Sequence, residues 1–397
     1  RAIEADGTVV CEPDDNTTYT AGAGLELSGN QFRVKGSGYQ NVRIVAKSGG
    51  DFTSIQAALD SITNASETNR YLVWVAPGVY NERVTMKQYV DIEGAGESAT
   101  RITSGGGQYA NTGCTVTGAG NAELRDLTVE NTGSGGYPWA IAIYDPGTSP
   151  RLTRITAIAS GGSTNNTAVY NSNGSPEMRG VTARASGGTY SRGVHNSQAS
   201  PLMMDVTATA SEGTTKNEAV LNYYSSPEMV RVIATASGGQ LSRGVSNEFS
   251  SSPTMTLVTA SASGASDSNV GVYNNHASQT MPITSPTMMS CTCTASGGSY
   301  SYGIYNYAAS ATVLQCTLRS SGANNSYGIY NQSYGTGSRN VVVHHSLVEG
   351  TTRSIHTWSG YTTSVAYSQL IGVVGSVGAT YRCVGNIDGN YNPVTCP

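Results

Sequence analysis

The chain has 397 residues, among them 48 Gly, 24 Tyr and 3 Phe, and 12% of its residues are charged. A net charge of −4 without a basic run argues against nucleic acid as a partner. No stretch approaches 18 consecutive apolar residues, so the sequence predicts no membrane span. Abundant small, β-branched and hydroxylated residues with regular turn residues are typical of a β protein with tight corners.

Residues 1–40 do not share the pattern of the rest of the chain. The segment "TYTAGAGLELSGNQFRV" alternates apolar and polar residues around Ser28-Gly29-Asn30, which predicts a β-hairpin. The sequence leaves two positions possible for this hairpin segment. It either folds onto its own chain or adds a strand to the open end of another subunit.

A single helix is expected at about residues 54–64, in "DFTSIQAALDSITNA". Thr53 or Ser54 would be its N-cap, because a side-chain hydroxyl there can accept a backbone N–H. Its apolar face would consist of Ile55, Ala58, Leu59 and Ile62.

From about residue 125, three markers recur every 25 to 27 residues, with one step of 32. They are a Ser-Pro pair, a Ser-Gly corner and a small–aliphatic–any–Asn motif such as "AVYN" or "GVHN". Between them, like residues recur at alternating positions, as in Met178, Met203, Met229, Met255 and Met288. Like side chains would stack on like at the ~4.8 Å spacing of β-strands. The sequence therefore predicts one all-β parallel solenoid of about ten or eleven coils at residues 41–360. C-terminal strands and a tail turn would follow at 361–397.

The Asn of the third marker forms a column with one Asp at its start. We interpret it as a structural ladder, because stacked amides at a corner can hydrogen-bond from coil to coil. The predicted ladder consists of Asp145, Asn171, Asn196, Asn222, Asn247, Asn274, Asn306 and Asn331.

Residues 42–145 resemble the N-terminal part of pectin methylesterases. The matching segments are "VAKSGGDFTSIQAALDSI", "VWVAPGVYNERV", "VDIEGAGESATRI" and "VENTGSGGYPWAIAIYD". The resemblance implies a right-handed parallel β-helix whose N-terminal end is capped by the helix at 54–64. It does not extend to the catalytic residues of that family. The family's Gln-Ala-Val corresponds to Trp139-Ala140-Ile141, and its catalytic Asp and Arg segments have no counterpart.

Other hydrolytic chemistry also finds no support in the sequence. Glycoside hydrolysis needs two carboxyl groups ~5–9.5 Å apart, and Glu177 and Glu228 share a column but lie two coils apart. The five His residues lack metal-ligand spacing, and we expect neither a metal nor a cofactor. No catalytic residue is predicted.

The residue before each ladder Asn should point outward, and it is often Tyr. Such a row can bind a glycan or another protein, or the rings can simply stack on each other. The candidate surface contacts are Tyr144, Tyr170, Tyr273, Tyr305 and Tyr330.

Among the seven Cys, a Cys383–Cys396 disulfide is expected, because the two residues bracket a Gly/Asn-rich turn. Cys11 could form a disulfide with Cys114. Cys291 and Cys316 are expected to be small core residues, although a bridge between them is open. The absence of an initial Met or leader before Arg1 is what a processed secretory protein would show, and a trimmed chain would show the same. We expect an extracellular or cell-surface location.

Two functional hypotheses follow. The first is a secreted, non-catalytic structural protein that self-associates, head to tail through residues 1–40, into a homo-oligomer or filament. The second is a divergent polysaccharide-active enzyme or glycan-binding module that uses the tyrosine-rich edge.

Overall fold

The computed structural model describes residues 39, 41–133, 136–276, 282–335 and 337–397, together with four strands between residues 2 and 34. Those four strands pair as two separate antiparallel ribbons. They are β1 (Ala2–Ile3) with β2 (Val9–Val10), and β3 (Leu25–Ser28) with β4 (Gln31–Val34). The second ribbon occupies the position of the predicted hairpin, whose turn residues lie outside the described residues.

The other described residues, in which the strands below are counted, form an all-β parallel solenoid of about 12 turns. Each turn contributes to three parallel sheets, which we number 1 to 3 in the order in which the chain meets them.

Sheet 1 contains eleven strands of its own. They are β5 (Asn41–Val45), β6 (Tyr71–Val75), β9 (Val90–Gly94), β18 (Leu202–Met204), β21 (Glu228–Val230), β24 (Thr254–Thr256), β27 (Thr287–Met289), β30 (Ala311–Leu314), β33 (Arg339–His344), β35 (Tyr361–Ala366) and β37 (Thr380–Val384).

Sheet 2 contains seven strands of its own. They are β7 (Gly78–Asn81), β10 (Thr100–Ser104), β19 (Thr207–Ser211), β22 (Ile233–Ser237), β25 (Thr259–Ser263), β28 (Thr292–Ser296) and β31 (Thr317–Ser321).

Sheet 3 contains ten strands of its own, mostly of eight residues. They are β8 (Val84–Thr85), β11 (Cys114–Thr117), β13 (Trp139–Pro146), β15 (Asn165–Ser172), β17 (Tyr190–Ser197), β20 (Lys216–Tyr223), β23 (Leu241–Glu248), β26 (Ser268–Asn275), β29 (Tyr300–Tyr307) and β32 (Asn325–Gln332).

Five longer strands turn a corner and belong to two sheets. Sheets 1 and 2 share β12 (Glu123–Asn131), β14 (Arg151–Ala159) and β16 (Glu177–Ser186), and sheets 2 and 3 share β34 (Leu347–Trp358) and β36 (Gln369–Val377).

The interior is built from the stacked columns that the repeat predicts. Met178, Met203, Met229, Met255 and Met288 pair in register and are fully buried. A neighbouring column of small residues, mostly Ala, keeps the cross-section thin. Because every coil repeats the same inward residues, each side chain meets an equivalent one above and below it.

The one helix of the described residues, α1 (Ile55–Ser61), contacts β5, β6 and β8 at the start of the stack. Ser54 is its N-cap, and the Ser54 hydroxyl accepts the Ala57 N–H at 3.2 Å. The outer edge of β5 is also occupied, since the Phe52 N–H donates to the Ile44 carbonyl and the Ile44 N–H to the Asp51 carboxylate. The first coil is therefore covered.

The solenoid continues beyond residue 360, where the sequence analysis set a boundary. Val365 in β35 pairs with Val343 and is buried, as is Tyr361. Because these residues extend the buried columns, residues 361–384 form further turns of the same stack. The predicted tail turn begins after Val384.

Candidate functional site

The outer face of sheet 3 carries interacting aromatic and charged side chains, and the Asn ladder lies behind it. From Asn171 to Asn331, each amide Nδ2 donates to the Oδ1 of the Asn one coil further, at 2.7 to 2.9 Å. The last amide donates to the Thr357 hydroxyl at 2.9 Å. All seven Asn side chains are fully buried, so the ladder is an internal support and has no access to substrate.

The ladder begins at Asp145, which pairs in register with Asn171. Within the described part of the chain, neither Asp145 Oδ2 nor Asn171 Oδ1 has a hydrogen-bond partner. Burial raises the pKa of the Asp145 carboxyl to about 7. A protonated Asp145 can donate to Asn171, which a carboxylate cannot do.

The tyrosines of sheet 3 stack on one another, which is one of the alternatives that the sequence left open. Tyr144 and Tyr170 have ring centroids 5.3 Å apart, and Tyr170 stacks on His195 at 4.6 Å. Tyr273 is buried. The physical reason is the coil spacing of ~4.8 Å, which brings rings of one column into contact.

Further along the rod these rings form a continuous patch that we call the aromatic strip. It consists of Tyr273, Tyr302, Tyr305, Tyr307, Tyr327 and Tyr330. The Trp358 indole N–H donates to the Tyr330 hydroxyl at 2.9 Å, and the Tyr305 hydroxyl donates to Gln332. These contacts fix the rings in place, and the exposed Tyr300, Tyr334 and Trp358 lie at the edges of the strip.

The aromatic column is interrupted at Leu221 and Ser246, and a cluster of charges lies beside the gap. The charged cluster consists of Arg192, Lys216, Glu218, Arg243 and Glu248. Glu218 is at its centre, with a side chain only 1% exposed, and its carboxylate is 3.3 Å from Arg192 Nε and 3.4 Å from Arg243 Nη1. Glu248 is 2.7 Å from the same Arg243 nitrogen.

Burial and the neighbouring charges decide the protonation states of Glu218 and of the adjacent His195. Burial alone would raise the pKa of the Glu218 carboxyl, but Lys216, Arg192 and Arg243 hold it well below its ordinary range. Burial and the nearby Arg192 lower the pKa of His195 to about 3. At neutral pH Glu218 is therefore charged and His195 is neutral.

Glu218 and Glu248 are two carboxylates that share one Arg243 nitrogen, a pair that sequence reasoning missed. The two contacts, of 3.4 and 2.7 Å, place the carboxylate oxygens at most about 6 Å apart, and glycosidase carboxyls lie ~5–9.5 Å apart. A glycosidase, however, needs one of the two protonated at working pH. Glu218 cannot supply that proton. The arrangement is that of a closed ion-pair network.

Replacing Glu218 by alanine is expected to lower the free energy of unfolding by about 3–5 kcal/mol, because in this largely buried site Arg192 would lose its carboxylate partner and Arg243 one of its two. Urea unfolding followed by circular dichroism measures this. Glu177→Ala is the matched control, since Glu177 pairs with Arg179 at a more exposed position. Equal effects of the two substitutions would contradict a buried network.

A repeat signal could have revealed this cluster. Arg192, Glu218 and Arg243 each lie four residues before a ladder Asn. Opposite charges on successive coils at one offset predict ion pairs between coils. The column four residues before the Asn is therefore as informative as the outward column next to it.

Cys383 and Cys396 form a disulfide that ties the tail to β37. Cys291 and Cys316 are buried free thiols in the core columns, so the alternative of a bridge between them is not realised. Cys114 is also a buried free thiol, and Cys11 lies outside the described residues. Over the described ranges, no group of three or more His, Cys, Asp and Glu side chains is placed to hold a metal ion.

These features define a class of protein: a parallel β-helix rod with a filled interior and one interacting outer face. Residues 41–157 match the Pectinesterase family model. Putative pectinesterase 11 of Arabidopsis thaliana is 33% identical over 95 residues, 23% of this chain and 27% of that protein. Probable pectinesterase/pectinesterase inhibitor 17 of the same plant is 31% identical over 122 residues, 29% and 23% of the two chains. The chain thus spans about a quarter of the length of these relatives.

Solved structures match over most of the rod. The A-module of a mannuronan C-5 epimerase from Azotobacter vinelandii aligns with a TM-score of 0.53 at 16% identity, covering 88% of this chain and 96% of that one. The catalytic domain of a GH87 α-1,3-glucanase aligns with a TM-score of 0.56 at 11% identity, covering 87% and 68%. At these identities the likeness shows the fold alone. The chain is a pectin methylesterase-like parallel β-helix protein.

Proposed function

We propose that the protein is a secreted, non-catalytic β-solenoid that builds extracellular structure by associating end to end with copies of itself. The observation that carries the proposal is the contrast between the two ends of the rod. At the N-terminal end, α1 and residues 51–52 cover the first coil. At the other end, within the described residues, the last strands of two sheets have a neighbour on one side alone.

The open end exposes apolar side chains. In the last turn, Val373 is 66% exposed, Val384 55% and Val377 46%. The tail covers part of this end, since Ile387 pairs with Gln369 and Leu370 in sheet 2. It leaves Val373–Val377 of sheet 3 without a described strand on that side, where the Tyr381 hydroxyl donates to the Gly375 carbonyl at 2.9 Å. An unpaired apolar strand edge is a template for pairing with another chain.

The absence of a catalytic role is part of the proposal, and the charged cluster supports it. Glu218 is paired and charged, and His195 is neutral, so neither offers a proton at neutral pH.

No helix of the described residues is long and apolar enough to cross a membrane.

Sedimentation velocity over a range of protein concentrations tests the proposal. We expect the average mass to rise with concentration. The double substitution Val373→Lys with Val377→Lys should keep the protein monomeric, because lysines on an edge strand oppose pairing. The control is Val79→Lys, at an exposed site near the covered end. A monomer at every concentration would contradict self-association.

The aromatic strip favours a second candidate function, glycan binding. Fixed tyrosine rings with hydroxyl and amide groups beside them can stack on sugar rings and hydrogen-bond to them. If the protein binds glycans, it should migrate more slowly in native gels that contain pectin or another soluble polysaccharide than in gels without one. The triple substitution of Tyr300, Tyr334 and Trp358 by alanine should then remove the retardation, whereas Tyr109→Ala, at a remote exposed site, should not.

The same incubations decide between binding and turnover. Release of methanol or of reducing ends, abolished by replacing one acidic residue, would overturn the non-catalytic proposal. Mobility that is the same with and without every polysaccharide would exclude the glycan-binding candidate.

A further inference from the structure

We infer that the open last coil of one molecule receives the β3–β4 hairpin of the next molecule, paired along Val373–Val377 of β36. This inference rests on the proposed end-to-end association and names the segment that makes the contact. Three observations support it: an incomplete hairpin, an open edge, and a distance that separates the two within one chain.

The hairpin is incomplete by itself. Its strands have four residues each and pair with one another, and they make no pairing with the solenoid sheets in the described structure. A two-stranded ribbon of this size is marginally stable in water, and a third strand with an apolar face stabilises it. The alternating sequence "LELSGNQFRV" suits a strand with one apolar side.

The edge of β36 can supply that third strand. The segment Val373–Val377 pairs with β34 on one side, and no described strand pairs with it on the other. Its five residues are long enough to pair with a hairpin strand of four. Backbone hydrogen bonds would provide the affinity, and the exposed Val373 and Val377 would provide the apolar contact.

The hairpin cannot reach this edge in its own molecule. Tyr39 is held at the N-terminal part of the rod, because its hydroxyl bonds to Asp91 and its ring lies under the Arg125 guanidinium. Val34 can lie at most about 18 Å from Tyr39 in an extended chain, and a four-residue strand adds roughly 13 Å.

The distance to be covered is larger. Arg125 is in β12, and in sheet 2 the strands β14, β16, β19, β22, β25, β28, β31, β34 and β36 follow it. At ~4.8 Å for each of these nine steps, β36 is about 43 Å away. The near end of the rod is closer, since β5 lies three steps from β12, or about 14 Å. The hairpin can therefore extend past its own first coil toward a second molecule.

Disulfide trapping tests the contact directly. In a Cys11→Ser background, Val377→Cys is combined with Glu26→Cys or with Arg33→Cys, which lie on β3 and β4. Mild oxidation should yield a ladder of covalent dimers, trimers and larger species on a non-reducing gel. We expect at least one of the two pairs to give tenfold more product than the same hairpin cysteine combined with Val79→Cys.

The outcomes separate this inference from the proposed function. If the protein sediments as oligomers but no pair cross-links above the Val79→Cys control, the hairpin contact is wrong and self-association stands. Oligomers that persist after removal of residues 1–38 would overturn the hairpin contact in the same way. If full-length protein never associates, both ideas fail. Adding Val373→Lys to the Val377→Cys and Arg33→Cys pair should abolish the ladder, and a ladder that persists there would contradict the assignment of the edge.

Discussion

Replacing Asn222 by alanine is expected to lower the free energy of unfolding by about 2–5 kcal/mol, because it leaves two buried polar groups without partners. The Asn222 side chain accepts from Asn196 and donates to Asn247, each at 2.8 Å. Both neighbours are fully buried, so water cannot replace the lost bonds. Urea unfolding followed by circular dichroism measures the loss.

Asn324→Ala provides the matched control, because Asn324 is exposed and lies outside the ladder. Its substitution should change the unfolding midpoint by no more than an ordinary surface change. If Asn222→Ala were as mild as Asn324→Ala, the ladder would not contribute to the stability of the rod.

Replacing Asp145 by asparagine should stabilise the protein at neutral and alkaline pH and remove one source of its pH dependence. The amide would donate to Asn171 Oδ1 at every pH and could still accept from Thr148, the present partner of Asp145. Tyr144 and Cys114 are ionisable side chains of the same region, and burial raises the pKa of both. They stay neutral while Asp145 titrates.

The direction of the effect follows from the raised pKa of Asp145. Between pH 3.8 and about pH 7, the folded protein holds a proton on Asp145 that the unfolded chain has lost. The resulting stability is fully present below pH 3.8 and is lost as the pH rises through about 7. The gain from Asp145→Asn should therefore grow from near zero at pH 4 to a few kcal/mol, at most about 4, at pH 8.

Unfolding free energies of wild type and variant, measured from pH 4 to pH 8, check this expectation. Asp267→Asn is the control, since Asp267 is exposed in a turn. A difference between wild type and Asp145→Asn that does not change with pH would mean that Asp145 is charged in the folded protein.

The parts of the structure that repeat were predictable from the sequence. Met178 and Met203, or Asn196 and Asn222, recur at one period, and a solenoid places residues of one period in contact. The helix could be located because Ser54 precedes an apolar pattern that occurs once. These features depend on local pattern and on a constant coil length.

Other parts depend on contacts that the period alone does not determine. The sequence placed Tyr273 on the outer surface, but its burial arises from Tyr305 on the next coil and from Arg243, whose guanidinium lies 3.7 Å from the ring centroid. The Glu218 network likewise needs long side chains of three coils to converge. The solenoid ends at β36 and β37, where the columns of buried side chains end. The Ser-Pro, Ser-Gly and Asn markers of the repeat do not predict this position.

The central claim is that copies of this protein associate end to end into longer rods. Electron microscopy of the purified full-length protein at high concentration tests it most directly. A single rod of about 12 coils should be about 55–60 Å long. We expect linear particles whose lengths are multiples of that value and whose subunits share one polarity. A field of single separate rods at every concentration would contradict the account.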